Sequence, residues 1–184
     1  IFMRYKHVFA VCAYKDSPYL EQCIRSLKAQ TVPSHIIICT STPSSYIDRL
    51  AWKYGLQVCV RQGESGIKDD WNFAYSMAEG ELVTIAHQDD MYHRDYSARL
   101  LAAHRRYPDM TVFTTDYVIV KQGALITGDA MLWIKRILRT PLRFPQMNDR
   151  AWVKKLAFVL GNPICCPATT YHKAVLGEPF VRSE

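Results

Sequence analysis

An α/β fold with a mainly parallel sheet is what the sequence of this 184-residue chain predicts. Three observations carry that expectation. Short apolar runs alternate with segments of helical periodicity through the first 120 residues. The first run is apolar without interruption, as in a strand covered on both faces. The distance from one run to the next leaves room for a helical crossover, which joins parallel neighbours in a right-handed sense.

In order, "HVFAVCA" (7–13) is the first strand. Ser17 is placed to cap the following helix with Pro18 at its first position, and Leu20, Cys23, Ile24 and Leu27 share one face at the i, i+3, i+4, i+7 spacing. "HIIICT" (35–40) is the second strand, and a helix through Tyr46 to Tyr54 stops at Gly55. "LQVCV" (56–60) is the third strand. A helix from about Ile67 to Ala78 sets Ile67, Trp71, Ala74 and Ala78 on one side, with Gly80 closing it. "LVTIA" (82–86) is the fourth strand, Tyr96, Leu100, Ala103 and Tyr107 mark the next helix, and "MTVFTTDYVIV" (110–120) reads as a fifth strand.

With 49% hydrophobic residues the chain can bury one sizeable core, and one domain over 1–184 is the expectation. No run approaches the roughly eighteen apolar residues of a membrane span, and the N-terminal stretch has no small-residue cleavage site, so the chain reads as soluble and cytosolic. Cys12, Cys23, Cys39, Cys59, Cys165 and Cys166 contain no C-x-x-C pair and mostly sit inside apolar patterns, as reduced core residues do. The net charge of +6 is concentrated. Between residues 121 and 155, Lys121, Lys135, Arg136, Arg139, Arg143, Arg150, Lys154 and Lys155 face only Asp129 and Asp149, so one basic face meeting an anionic partner is expected.

The most informative stretch is "TIAHQDDMY" (84–92), where a buried strand runs into His87, Gln88 and two adjacent aspartates. In parallel sheets ligands bind outside the carboxyl ends of the strands, so Asp89 and Asp90 belong on the functional rim. Two neighbouring carboxylates repel unless a cation or proton lies between them, and oxygen ligation suits Mg²⁺ or Mn²⁺. The alternative from the pair alone is a helix cap beside a solvated loop residue.

Taken together, "VFAVCAYKDSPYLEQCIRSLKAQT" and "GIKDDWNFAYSMAEGELVTIAHQDD" resemble the family 2 glycosyltransferases. The first has the family's strand, loop and L-x-x-x-I-x-S-L-x-x-Q helix in Leu20, Ile24, Ser26, Leu27 and Gln30. The second has its helix asparagine, Asn72, and its strand leading to an aspartate motif. The resemblance covers residues 7–120 well and the remainder weakly. It implies the GT-A (Rossmann-like) fold, a three-layer α/β/α sandwich, with 1–120 as the nucleotide-sugar donor half and 121–184 as a partial, truncated acceptor half carrying the basic helical segment. It implies transfer of a sugar from a UDP- or dTDP-sugar to a saccharide hydroxyl in bacterial surface polysaccharide or cell-wall synthesis, with inversion. It also implies Mg²⁺ or Mn²⁺ on Asp90, with Asp89 as a second metal contact or a ribose contact. The family's D-x-D begins here with His87, read as a structural hydrogen-bonding residue.

By the same resemblance Ala13 and Tyr14 meet the nucleotide base, Thr40 and Ser41 (with Thr42) stand where an acidic residue commonly faces it, and Lys68, Asp70 and Asn72 line the donor pocket. For Lys68 and Asp70 a solvated helix face is the alternative. The family's general base normally follows a segment like "CPATTYHKAVLGEPFVRSE", so it is expected beyond Glu184, with this chain an N-terminal fragment. Glu178 and Glu184 read as a loop residue and a frayed terminus.

"MLWIKRILRTPL" within 131–143 sets Leu132, Trp133, Ile134, Ile137 and Leu138 beside Lys135, Arg136 and Arg139. Such a helix packs on its own sheet with its arginines in water, the commoner case, or makes peripheral contact with an anionic membrane carrying a lipid-linked saccharide acceptor, at the inner face of the membrane. The next apolar stripe, Trp152, Val153, Leu156 and Val159, reads as packing. A non-catalytic nucleotide-sugar binding module is the alternative to an enzyme. A nucleic-acid partner is not expected, because aromatic residues do not interleave with the basic ones.

Overall fold

The structure is a computed structural model describing residues 4–121, 123–126, 129–144, 146–148, 150–159 and 161–177. Its elements in chain order are β1 (Tyr5–Ala13), α1 (Leu20–Lys28), β2 (His35–Thr40), α2 (Ser45–Tyr54), β3 (Gln57–Val60), α3 (Ile67–Met77), β4 (Gly80–His87), α4 (Tyr96–Arg106), β5 (Val112–Thr114), β6 (Ile119–Lys121), β7 (Ala124–Ile126), α5 (Ala130–Arg139), a 3₁₀ turn (Thr140–Arg143), α6 (Ala151–Phe158), β8 (Thr169–His172) and α7 (Lys173–Leu176). They form two compact units, one of the residues up to Phe113 together with those from Thr169 onward, the other of Thr114–Ala168.

In the first unit the sheet order is β3-β2-β1-β4-β8-β5. β1 is parallel to β2 and β4, β2 is parallel to β3, and β8 runs antiparallel to β4. The apolar run of β1 divides by alternation between two cores. Phe9, Val11 and Ala13 pack with Leu20, Cys23, Ile24 and Leu27 of α1 and Ile47, Leu50 and Ala51 of α2. Val8 and Ala10 pack with Ala74 and Tyr75 of α3 and with Ala78. A strand covered on both faces has no polar face, which is why the run shows no alternation in sequence. The expected three-layer, mainly parallel α/β/α architecture is present.

Local chemistry sets several boundaries. Ser44 Oγ accepts from Ile47 N–H at 3.3 Å to start α2, and Gly55, at φ 60°, ends it. Ser17 caps no helix. Its hydroxyl accepts from Tyr19 N–H at 3.3 Å, a local turn, and α1 begins at Leu20. Gly80 does not close α3 but opens β4, where a Cβ would lie 2.7 Å from Val8 Cγ2, so glycine is required by the close approach of two strands. The end of α3 is satisfied by Lys173, whose buried ammonium donates to the carbonyls of Tyr75, Ser76 and Ala78 at 2.8, 3.1 and 3.2 Å. The predicted strand 110–120 is broken into β5 and β6, and β6 pairs with β7 as a hairpin.

In the second unit α5 buries only part of its expected apolar face, with Leu132 buried and Leu138 half-buried. Arg139 of α5 is buried and donates to Asp116 Oδ1 at 2.6 Å, and Arg136 donates to Oδ2 at 2.8 Å. Arg139 therefore turns inward and Arg136 stays half-buried, while Met131, Trp133, Ile134 and Ile137 are exposed. The packing assigned to the α6 stripe is also corrected: Val153 is buried, but Trp152, Leu156 and Val159 are exposed. No helix of the described residues is long and apolar enough to cross a membrane.

A polar row threads the core of the first unit. His7 Nδ1 meets Ser34 Oγ at 2.8 Å and its Nε2 meets Thr84 Oγ1 at 2.8 Å; Thr84 Oγ1 meets Thr170 Oγ1 at 2.5 Å, which Tyr96 OH meets at 2.9 Å. A neutral imidazole, donor at one nitrogen and acceptor at the other, suits hydroxyls that can play either part. Burial pushes His7 from its ordinary 6.5 down to about 3, so the folded state excludes a proton that the unfolded chain binds below pH 6.5. Its contribution to stability is complete above that pH and declines as pH falls toward 3, by up to about 1.4 kcal/mol per pH unit. In urea titrations, the stability advantage of wild type over His7→Gln should shrink from pH 7 to pH 4; a constant difference would contradict a neutral buried His7.

Candidate functional site

The register of β1 decides where the site lies. Cys12 stands opposite Cys39 of β2 and His87 of β4, so three strands end together, releasing Ala13 to Lys15, Ser41 to Thr42 and Gln88 to Asp90 side by side. Side chains then bind the ends to one another. The Gln88 amide accepts from Tyr14 N–H at 2.9 Å and donates to Tyr14 C=O at 3.1 Å, acting as one more rung of the sheet. Lys15, at φ 53°, donates its N–H to Thr42 Oγ1 at 2.6 Å, and Asp16 Oδ1 accepts from Ser44 Oγ at 2.5 Å. A non-glycine residue in the left-handed region costs about 1 kcal/mol or more and persists where its surroundings over-determine it.

A cleft of about 550 Å³ opens at this rim, lined by Cys12, Ala13, Tyr14, Cys39, Ser65, Gly66, Ile67, Asp70, Trp71, His87, Gln88 and Asp89. One wall is the loop before α3. Asp70 accepts from Arg61 Nε at 2.8 Å and from Gly66 N–H at 3.1 Å, and Arg61 also donates to the carbonyls of Gln62 and Glu64. These bonds hold the start of α3 against the cleft, where the helix dipole favours an anion and the charges of Asp69 and Asp70 in the first turn oppose one. The Tyr14 ring, 46% exposed, stands at the mouth with Lys15 Nζ 5.0 Å from its centroid.

After β4 the chain turns at once, with Asp90 N–H donating to His87 C=O at 3.2 Å. That turn gathers ligand atoms of His87, Asp89 and Asp90 to within 4.8 Å of one another. His87 Nδ1 is 3.7 Å from Asp90 Oδ2, the ring leans on Trp71 at 4.8 Å between centroids, and the buried Nε2 has no hydrogen-bond partner among the described residues. Burial, with the charge of Asp89 beside it, pushes the Asp90 carboxyl up to about 6. Burial holds His87 below the ordinary imidazole range. A carboxyl resisting ionisation beside a second carboxylate, next to a neutral imidazole with an open ring nitrogen, is a donor set that a divalent cation completes.

Of the residues singled out in the sequence, Ala13, Tyr14, Asp70 and Asp89 line the cleft and Asp90 lies beside His87. Thr40 is buried at the end of β2 with its hydroxyl accepting from Thr42 N–H at 3.0 Å, and Ser41 reaches the cleft wall through Ser65 Oγ at 2.8 Å. Lys68 is exposed and Asn72 half-buried on α3, and neither is among the lining residues. Sequence reasoning missed the clamp of Gln88 and the wall positions of Trp71 and Ile67. Ile67, placed in the core by helical spacing, is 70% exposed. A glutamine directly after an apolar strand was the available signal for the clamp. Gln88→Met, which keeps the length and removes both bonds, should lower stability by about 1 kcal/mol and speed amide exchange at Tyr14.

Comparison with known proteins accords with this geometry. The glycosyl transferase family 2 profile matches residues 8–161. No curated protein sequence matches the chain. Among solved structures, S. aureus TarS 1–349 in complex with UDP superposes with a TM-score of 0.63 at 19% identity, covering 93% of this chain and 48% of that one. Glucosyl-3-phosphoglycerate synthase from Mycobacterium tuberculosis, in complex with Mn²⁺ and UDP-glucose, gives a TM-score of 0.60 at 11% identity, with 94% and 58% covered. The mannosyltransferase PcManGT from Pyrobaculum calidifontis, in complex with GDP-Man and Mn²⁺, gives 0.51 at 17% identity, with 64% and 36% covered. At these identities the superpositions establish a common fold, and the chain spans less than two thirds of each of these structures. With a family profile running from the first strand to beyond α6, the chain belongs to glycosyl transferase family 2.

Proposed function

We propose that this chain forms the donor-binding part of a transferase that moves a sugar from a nucleotide diphosphate to a saccharide hydroxyl. The observation that carries the reading is the gathering of His87, Asp89 and Asp90 at the edge of a cleft walled by the start of α3. The family membership and the nucleotide-bound relatives support it.

In this reading Asp90, Asp89 and His87 would hold Mn²⁺ or Mg²⁺, which would supply Lewis-acid neutralisation of a diphosphate leaving group. The chain's own contributions are positional. The Gln88 rung and the Thr42 bond fix the Tyr14 loop against which a base can stack, and Thr40 to Thr42 present hydroxyls rather than a carboxylate toward its edge. The α3 start supplies N–H groups to phosphate oxygens. Asp70 is engaged by Arg61 and Gly66 and is therefore not assigned as the base that deprotonates the acceptor. Glu178 and Glu184 lie outside the described residues.

Calorimetric titration of UDP and dTDP, with and without Mn²⁺, tests the site. UDP binding should need the metal and weaken at least tenfold, about 1.4 kcal/mol, in Asp90→Ala. Metal-independent binding, or binding indifferent to Asp90, would refute the assignment, and the preferred nucleotide reports what the Thr40 to Thr42 loop accepts.

The same proposal puts a lipid-linked acceptor at a membrane surface met by 131–143. All three arginines there pair with Asp116, Arg143 at 3.8 Å, so the contact rests on Trp133, Ile134 and Ile137 more than on charge. Co-sedimentation with anionic vesicles should survive moderate salt and fall sharply in Trp133→Glu; failure to sediment at low salt would remove the membrane contact.

A further inference from the structure

A second group of potential ligands lies at the opposite end of β4 from the cleft. Glu81 follows the first residue of that strand, His172 ends β8 and His104 belongs to the last turn of α4. Ligand atoms of the three side chains all lie within 4.8 Å of one another. Glu81 Oε1 is 3.2 Å from His104 Nε2 and 3.5 Å from His172 Nε2. These separations match the edge of a tetrahedron whose ligands stand about 2.0–2.1 Å from a central ion, roughly 3.3–3.4 Å.

The surroundings orient the group as outer-shell partners orient metal ligands. His172 Nδ1 is 2.9 Å from the Met110 carbonyl, which can only accept, so that nitrogen carries a proton and Nε2 is the ring atom turned toward Glu81. Lys6 Nζ donates to Glu81 Oε2 at 2.7 Å, leaving Oε1 turned to the two imidazoles. His104 is 6% exposed, and its Nε2, although near Glu81 Oε1, is out of hydrogen-bonding alignment and has no other partner among the described residues. A buried ring nitrogen left without a hydrogen bond is a deficit that a Lewis acid removes. The Glu81 side chain is 29% exposed, so an ion can enter from solvent and a water can complete its shell.

We infer that Glu81, His104 and His172 form a binding site for a divalent transition-metal ion, zinc being the best match to two imidazoles and one carboxylate. The site is separate from the nucleotide cleft. Its ligands come from β4, α4 and β8, so the ion acts as a clip joining the strand by which the chain re-enters the sheet to elements formed before Phe113. Metal held there stabilises the folded state because the unfolded chain does not assemble the site.

The test uses the 184-residue chain carrying Asp89→Asn and Asp90→Asn, which disables the carboxylates at the cleft. Zinc ions alone are titrated by calorimetry, and the zinc K-edge absorption of the loaded protein is recorded. One equivalent should bind, the melting temperature should rise with zinc, and the spectrum should show two imidazole scatterers at about 2.0 Å. Adding Glu81→Gln, His104→Gln or His172→Gln should each weaken binding at least tenfold. Absence of binding overturns the inference, as do sulfur scatterers, which would put the ion on cysteines, or affinity unchanged in the three variants. Should a variant not fold, the spectrum of the parent protein still decides.

Discussion

β1 hydrogen-bonds in parallel on both edges, with Cys12 level with Cys39 on one side and with His87 on the other. A shift of one residue against either neighbour would exchange the faces of Phe9 and Val11 with those of Val8 and Ala10, sending each set to the wrong helix layer. The double apolar cover thus locks the alignment, and the alignment brings three strand ends to one rim. Gly80 belongs to the same constraint, since the start of β4 fits against Val8 only without a side chain. The Gln88 clamp continues the ladder one step beyond the backbone and converts strand register into loop position.

Polar groups are handled in opposite ways in two parts of the first unit. Along the row from Ser34 through His7 to Tyr96 every hydroxyl finds a partner, and the imidazole is kept neutral by that company and by burial. At the rim the same degree of organisation leaves a carboxyl pushed up to about 6 and a ring nitrogen unpaired. The first arrangement holds the sheet to α4; the second stores unmet electrostatic demand where a ligand can satisfy it.

Much of this was legible in the sequence because it rests on local signals. Uninterrupted apolar runs announced β1 to β4, the Leu20, Cys23, Ile24 and Leu27 spacing announced the buried face of α1, and a strand ending on paired aspartates announced the rim. What escaped notice depends on partners distant in the chain. "TTYH" is too short to declare itself a strand, and becomes one only because Thr170 faces Thr84 and His172 faces Leu82. Residues 110–120 look like one strand until Asp116 turns out to anchor Arg136 and Arg139, which no periodicity records. Ile67 fits a core stripe by spacing, yet it sits in the first turn of α3, beyond the sheet that would cover it.

The strand β8 completes the sheet after an excursion, Thr114–Ala168, that forms a compact unit. Thr115 N–H donates to Ala168 C=O at 3.0 Å, so the excursion is cinched where it leaves and returns. A segment whose two ends are fastened side by side behaves as a cassette. Its length and content can change while β5 and β8 stay in place, since lengthening an already closed loop adds little entropy. The sheet of the first unit and the segment between β5 and β8 are thereby free to vary at different rates, one fixed platform carrying inserts of differing content.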